Sequence, residues 1–193
     1  MRNLKYAILG LLLQKPMWGY DIMKAFSETL DEFWHAKHSQ IYTELRKLLE
    51  EGLVRYDIEK SGELLEKKVY TLTEDGRNDF MEWLVEETPL QPVPKDVFRL
   101  KLYFSQFLDL ASRLDMLRAQ KALHAQRLLH LSAKYEQYGG PPAPADGRLG
   151  DYMVLEYAVM RERTAIRWLE NCIARLSDGE QQPAAGDQKH EHQ

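Results

Sequence analysis

Gln40, Thr43, Arg46 and Lys47 fall within two helical turns of one another in the stretch 33–52, FWHAKHSQIYTELRKLLEEG. Amide, hydroxyl and guanidinium groups are the side chains that bond base edges and phosphates in a DNA major groove. Ile41, Leu45, Leu48 and Leu49 interleave with them at helical spacing, so one side of the helix is buried while the polar side faces out. Ser39 stands where an N-cap is expected, and Gly52 supplies a C-terminal stop. Tyr42 lies near the first turn, Lys37 just before it, and Tyr20 on the preceding helix adds a phenol to the same set. The alternative is an ordinary solvated helix face, so the flanking elements must decide.

Those elements change period. Leu53–Ile58 and Leu65–Leu72 alternate apolar and polar residues, and Glu59, Lys60, Ser61, Gly62 and Glu63 supply turn chemistry between them. This predicts a β-hairpin directly after the helix, with Lys60, Ser61 and Gly62 at its tip. A further helix is expected to open at Thr73 and run through Phe80, Trp83 and Leu84. Upstream, Leu4–Leu13 is strongly apolar and ends near Pro16, while 20–33 places Ile22, Met23, Phe26, Leu30 and Phe33 on one side. The order helix, helix, helix, hairpin, helix is that of a winged helix-turn-helix.

The segments LKYAILGLL (4–12), GYDI (19–22), FWHAKHSQIYTEL (33–45), LEEGLV (49–54) and LEKKVYTLTEDG (65–76) resemble the PadR family of bacterial repressors. PVPKDVFRLKLYF (92–104) resembles the segment that joins the family's two domains. The resemblance implies a mostly α protein with a small β-hairpin: an N-terminal winged helix-turn-helix and a C-terminal long-helix dimerisation domain. It also implies double-stranded operator DNA and a second copy of the chain as partners, and release by a small aromatic effector, a phenolic acid such as p-coumaric or ferulic acid. One departure stands out. Family wings carry polar or basic residues around the turn glycine, whereas here Glu63 and Leu64 follow Gly62, and Glu63 would repel a phosphate.

Charge gives no free support to a DNA partner. The formal net charge is −4, and residues 1–88 carry 12 Lys plus Arg against 17 Asp plus Glu. Phosphate binding must come from local clustering of Lys37, Arg46, Lys47, Lys60, Lys67 and Lys68, and from doubling of contacts in a symmetric dimer on a palindromic site. The only cysteine, Cys172, reads as a small core residue, and the apolar run 6–13 is too short to cross a bilayer. A cytoplasmic protein without membrane contact is expected.

The domain reading is 1–88 for the winged helix-turn-helix, 89–95 for a proline-rich linker, 96–176 for the helical dimerisation domain and 177–193 for a disordered tail. Asp96 can cap a helix through Phe98 and Leu102, with a break near Leu108 and Asp109. Positions 110, 114, 117, 121, 124, 128, 131 and 135 follow a 4-3 spacing interrupted by Lys121 and His124. After the Gly- and Pro-rich loop 139–150, Leu155, Val159, Ile166, Leu169, Ile173 and Leu176 make a second seam with Glu162 inserted. Two such seams could form a compact hairpin on the first domain, but dimerisation through these helices is the favoured expectation.

For the effector, Tyr6, Trp34 and Phe98 offer flat apolar walls, and His38, Lys95 and Arg99 offer cations or donors for a carboxylate. Within repressors, the alternative is a response to multidrug or other hydrophobic compounds. A winged-helix protein-interaction module is a further alternative, since fold does not fix function. Catalysis finds no support: His35, His38 and Ser39 lack a strained nucleophile turn, a phosphate loop or convergent partners. No cofactor is implied. His190 and His192 flank Glu191 but lack further ligands, so no metal site is expected there.

Overall fold

A computed structural model describes residues 2–30, 33–61 and 65–178. The chain divides into two compact units, 1–91 and 92–193. The wing-tip residues Gly62, Glu63 and Leu64 lie outside the described residues, as do 179–193 with His190 and His192.

The first unit is built around α1 (Asn3–Gln14), whose Ile8, Leu9, Leu11 and Leu12 are all buried. An apolar surface this broad must be covered on more than one side, and α1 packs against α2 (Gly19–Ala25), α3 (His38–Glu50) and α4 (Glu74–Val85). Each fully buried Leu or Ile contributes on the order of 1.5–3 kcal/mol, so Ile8, Leu9, Ile22, Ile41, Leu45 and Leu48 form the stabilising centre. After α2 the chain widens into one π-helical turn, Phe26–Leu30. Phe26 is buried, but Phe33 is exposed, contrary to the expectation that it shares the buried side.

Strands β2 (Val54–Ser61) and β3 (Leu65–Leu72) pair antiparallel; β3 has the expected bounds, while β2 runs three residues past Ile58 and takes in Lys60 and Ser61, expected at the tip. A two-residue strand that the sequence did not disclose, β1 (Met17–Trp18), joins the other edge of β3, giving the order β1-β3-β2. Gly52 has φ 71° and closes α3: its N–H donates to Leu49 O at 3.1 Å and that of Leu53 to Leu48 O at 2.9 Å. This pair of bonds, with a left-handed glycine between, is the Schellman arrangement. Thr73 caps α4 by accepting from Gly76 N–H at 3.1 Å, and its hydroxyl reaches Leu53 O at 2.9 Å. A methyl on Gly76 would lie 2.1 Å from that same Leu53 oxygen, so only glycine lets α4 seat on the start of the hairpin.

The second unit opens with α5 (Val97–Tyr103), capped by Asp96, followed by a short 3-10 turn at Ser105–Phe107. Asp109 caps α6 (Leu110–Glu136), which runs antiparallel to α7 (Leu149–Asp178). Ser177 and Asp178, assigned to the tail on composition, continue α7. None of the eight seam positions from Leu110 to Tyr135 is exposed. In the same chain Leu131 packs with the α7 seam residues Leu155 and Val159, and Lys121 pairs with the exposed Glu170 beside that seam at 2.9 Å. The two seams therefore meet within one chain. The uncovered apolar residues lie elsewhere on α7, where Met153, Tyr157 and Met160 recur at helical spacing and are 57–67% exposed. Among the described residues, no helix is long and apolar enough to cross a membrane.

Candidate nucleic-acid interface

Helix α3 divides cleanly. Ile41, Leu45 and Leu48 are buried, while Lys37, Ser39, Gln40, Tyr42, Thr43, Arg46 and Lys47 are exposed. The first correction concerns the cap: the helix begins at His38 with Lys37 as N-cap, so Ser39 lies inside the first turn. Gln40 does the capping, its Oε1 accepting from Lys37 N–H at 2.9 Å. Thr43 donates its hydroxyl proton to Ser39 O at 2.7 Å. Ser39, Gln40, Thr43 and Lys47 together line one shallow surface depression.

Tyr42 is fixed by a glycine. A methyl on Gly19 would lie 2.9 Å from Cε1 of the Tyr42 ring and 3.4 Å from its hydroxyl oxygen, so the ring lies directly on the start of α2. Tyr20, the next residue, is 61% exposed and adds a second phenol to that surface. On the hairpin, Lys67 stands 3.5 Å from the centroid of the Trp18 ring, and Lys68 stands 4.3 Å from that of Tyr56. Such cation–π contacts hold a lysine while leaving its charge available. The Lys67–Trp18 contact was missed in the sequence because β1 was missed. Lys60 and Ser61 end β2, and Gly62, placed with them at the tip, lies outside the described residues.

The acidic balance is managed by placement. Glu44, the acid in the middle of α3, is buried, with its Oε1 2.9 Å from Arg2 Nε and 2.5 Å from Nη2. Arg2 also bonds Glu51, and the two carboxylates raise the guanidinium pKa further above its ordinary value. Glu74, Asp75, Asp79 and Glu82 all lie on α4, which packs on α1 together with Trp83 and Phe80, and Lys5 of α1 pairs with Asp79.

Two of the expected effector residues come together. Tyr6 and Trp34 line a groove of about 790 Å³ with Leu11, Phe33, Phe80 and Trp83, rimmed by Asn3, Gln14, Thr88 and Gln91. Trp83 is the residue sequence reasoning missed: its ring stacks on Tyr6 with centroids 4.4 Å apart and planes 4° from parallel. His38 opens α3 and does not line this groove. Lys95, Phe98 and Arg99 belong to the second unit. There Phe98 meets Trp168 edge-on, and the Arg99 backbone N–H at 3.0 Å, helped by the Arg99 guanidinium at 2.8 Å, holds the Asp96 carboxyl below its ordinary range.

Comparison with known proteins places this geometry. Residues 8–82 match the model of the transcriptional regulator PadR-like family, and residues 94–177 that of the virulence activator alpha C-terminal region. The chain is 40% identical over 179 residues to the negative transcriptional regulator PadR of Bacillus subtilis, covering 91% of this chain and 98% of that protein. The crystal structure of Bacillus subtilis PadR with operator DNA is similar with a TM-score of 0.87, covering 91% of this chain and 99% of that one. The same protein with p-coumaric acid gives 0.81 at 39% identity over the same shares. The virulence activator AphA of Vibrio cholerae gives 0.70 at 28% identity, covering 91% and 99%. The mostly α fold, a winged helix-turn-helix followed by long helices, is thereby shown, and the family is one of regulators rather than enzymes. This chain belongs to the PadR-like family of transcriptional regulators.

Proposed function

We propose that this protein is a repressor that binds a palindromic operator as a homodimer and is released by a small aromatic carboxylate. The observation that carries the reading is the division of α3: three buried apolar residues fix the helix, while Gln40, Thr43, Arg46 and Lys47 stay exposed on the same two turns. Base-edge contacts from such residues supply sequence readout. Lys37, Lys67, Lys68 and the phenols of Tyr20 and Tyr42 supply phosphate contacts, with Lys60, Ser61 and Gly62 as further candidates on the hairpin. The similarity to a PadR solved on operator DNA supports the same assignment.

The homodimer rests on the exposed stripe Met153, Tyr157 and Met160. Large apolar side chains gathered on one helix face mark a surface that is covered in the working molecule. A twofold partner covers it and duplicates α3 for a palindrome.

The groove beside the Tyr6–Trp83 stack is the effector site in this reading. Flat rings suit a phenyl group, and the rim amides of Asn3, Gln14 and Gln91 suit its polar ends. A ligand that binds better to a DNA-incompetent spacing of the two winged units weakens operator binding by its coupling energy, about 1–3 kcal/mol or roughly 5–150-fold. The similarity to a PadR solved with p-coumaric acid supports a phenolic acid. The largely apolar lining favours a broader hydrophobic ligand as the second reading.

A gel-shift titration against the protein's own upstream DNA tests the proposal. The retarded complex should form at low protein and dissolve as p-coumaric or ferulic acid is added. A complex indifferent to millimolar phenolic acid removes that effector, and no sequence-specific complex removes the repressor assignment.

A further inference from the structure

Gln40 commits one lone pair of its amide oxygen to the cap of α3. A backbone N–H can only donate, so the atom 2.9 Å from Lys37 N must be the amide oxygen. That leaves the Nε2 amino group as the outward end of an exposed side chain. One turn further along, Thr43 is committed in the opposite sense. Its hydroxyl proton is given to Ser39 O at 2.7 Å, a carbonyl that can only accept, so Thr43 presents oxygen lone pairs and a methyl group.

We infer that Gln40 and Thr43 read the major groove as a fixed donor–acceptor pair, Gln40 selecting an acceptor edge and Thr43 a donor edge or a methyl. This deepens the operator-binding proposal and rests on it. Guanine shows only acceptors, N7 and O6, and thymine shows O4, so either satisfies the Gln40 amino group. Cytosine shows its N4 amino group and is refused. Adenine accepts through N7, and bidentate pairing with its N6 and N7 would draw on the second lone pair of the amide oxygen already bonded to Lys37 N–H. Thr43, conversely, suits the amino group of adenine or cytosine, or the thymine methyl. The device has a structural logic: the interaction that starts the helix also sets the polarity of its first reading residue.

Gln40→Glu isolates the claim, because a carboxylate still accepts from Lys37 N–H but turns an acceptor outward in place of the amino group. Full-length wild type, Gln40→Ala and Gln40→Glu are titrated against the protein's own upstream operator carrying each base pair at each position in turn. Thermal melts of the three proteins verify that they are folded. The position facing Gln40 is the one at which Gln40→Ala flattens the preference. There, wild type should favour guanine or thymine over cytosine by about 5–150-fold, the range of one good base contact, and Gln40→Glu should move the preference to cytosine. Thr43→Val should flatten a different, neighbouring position. Cytosine as the favoured wild-type base at the Gln40 position would overturn the inference, because its N4 amino group needs an acceptor where Gln40 presents a donor. So would an unchanged base profile in Gln40→Ala and Gln40→Glu, which would leave operator binding itself intact. Loss of specific binding in the wild type would instead remove the operator reading beneath both.

Discussion

His124 Nδ1 lies 2.5 Å from Glu162 Oε2 in the seam between α6 and α7. Each residue looked like a polar interruption of its own apolar heptad pattern, and each is the other's partner. Gln120 lies 3.3 Å from the far nitrogen of the ring, and Arg161 holds Glu162 Oε1 at 3.1 Å. Only this register of the two helices brings the two interruptions together, so the pair specifies how the hairpin closes.

Removing Glu162 should therefore cost stability. Glu162 is 2% exposed, but the His124 ring and the Arg161 guanidinium beside it reach water, so Glu162→Ala is expected to lose about 1–3 kcal/mol rather than the larger penalty of stranding a buried charge. Urea unfolding checks the value. His124→Leu combined with Glu162→Leu should recover most of the loss, since a matched apolar pair often equals a buried ion pair.

The same pair sets an acid limit. Burial alone would raise the Glu162 carboxyl, but hydrogen bonds and charge from His124 and Arg161 outweigh it, and the group titrates below the ordinary glutamate range. A depressed folded pKa adds stability that is present above the unfolded value, about 4.3, and lost as pH falls through the folded one. The stability gap between wild type and Glu162→Gln should be full near neutrality and close below about pH 4. A gap independent of pH would contradict this.

Gly19→Ala should separate folding from DNA binding. The added methyl meets the Tyr42 ring at 2.9 Å and must push it aside, yet that ring is 46% exposed and has room to move. Gly19 is the first residue of α2, where the helix preference of alanine counts for less than in a helix interior, so net stability should change by less than about 1 kcal/mol. Operator affinity should still fall several-fold in an anisotropy titration.

Trp83→Ala removes one face of the Tyr6 stack and opens the effector groove. Operator binding should persist while the response to p-coumaric acid weakens by about tenfold or more, the loss of one aromatic wall. An unaltered response places the effector elsewhere.

Charging the exposed stripe of α7, with Tyr157→Glu and Met160→Glu together, should yield a folded monomer by light scattering and a large loss of operator affinity. A dimer that survives both substitutions would refute that surface as the interface.

Much of this architecture was legible because it is local and periodic. The α3 stripe Ile41, Leu45 and Leu48, the seam Leu110–Tyr135, and the caps at Thr73 and Asp96 all follow from spacing and residue type. The misses are non-local. Met17 and Trp18 are too short to show a period, and become a strand only because Tyr70 and Val69 lie beside them. Trp83 joins Tyr6 across 77 positions, and no spacing rule links them. Ser39 looked like the cap because serine favours that role, whereas Gln40 reaching back to Lys37 N–H begins the helix two residues earlier. Neither seam alone could reveal that it meets the other within one chain.

The claim on which the account turns is that the exposed face of α3 reads DNA. Equilibrium titration of the full-length protein and its Gln40→Ala, Thr43→Ala, Arg46→Ala triple variant against the upstream operator and a scrambled duplex tests it directly. The account predicts tight, salt-sensitive wild-type binding to the operator, and a triple variant that folds normally but treats both duplexes alike. A triple variant that still prefers the operator as strongly as wild type would contradict it.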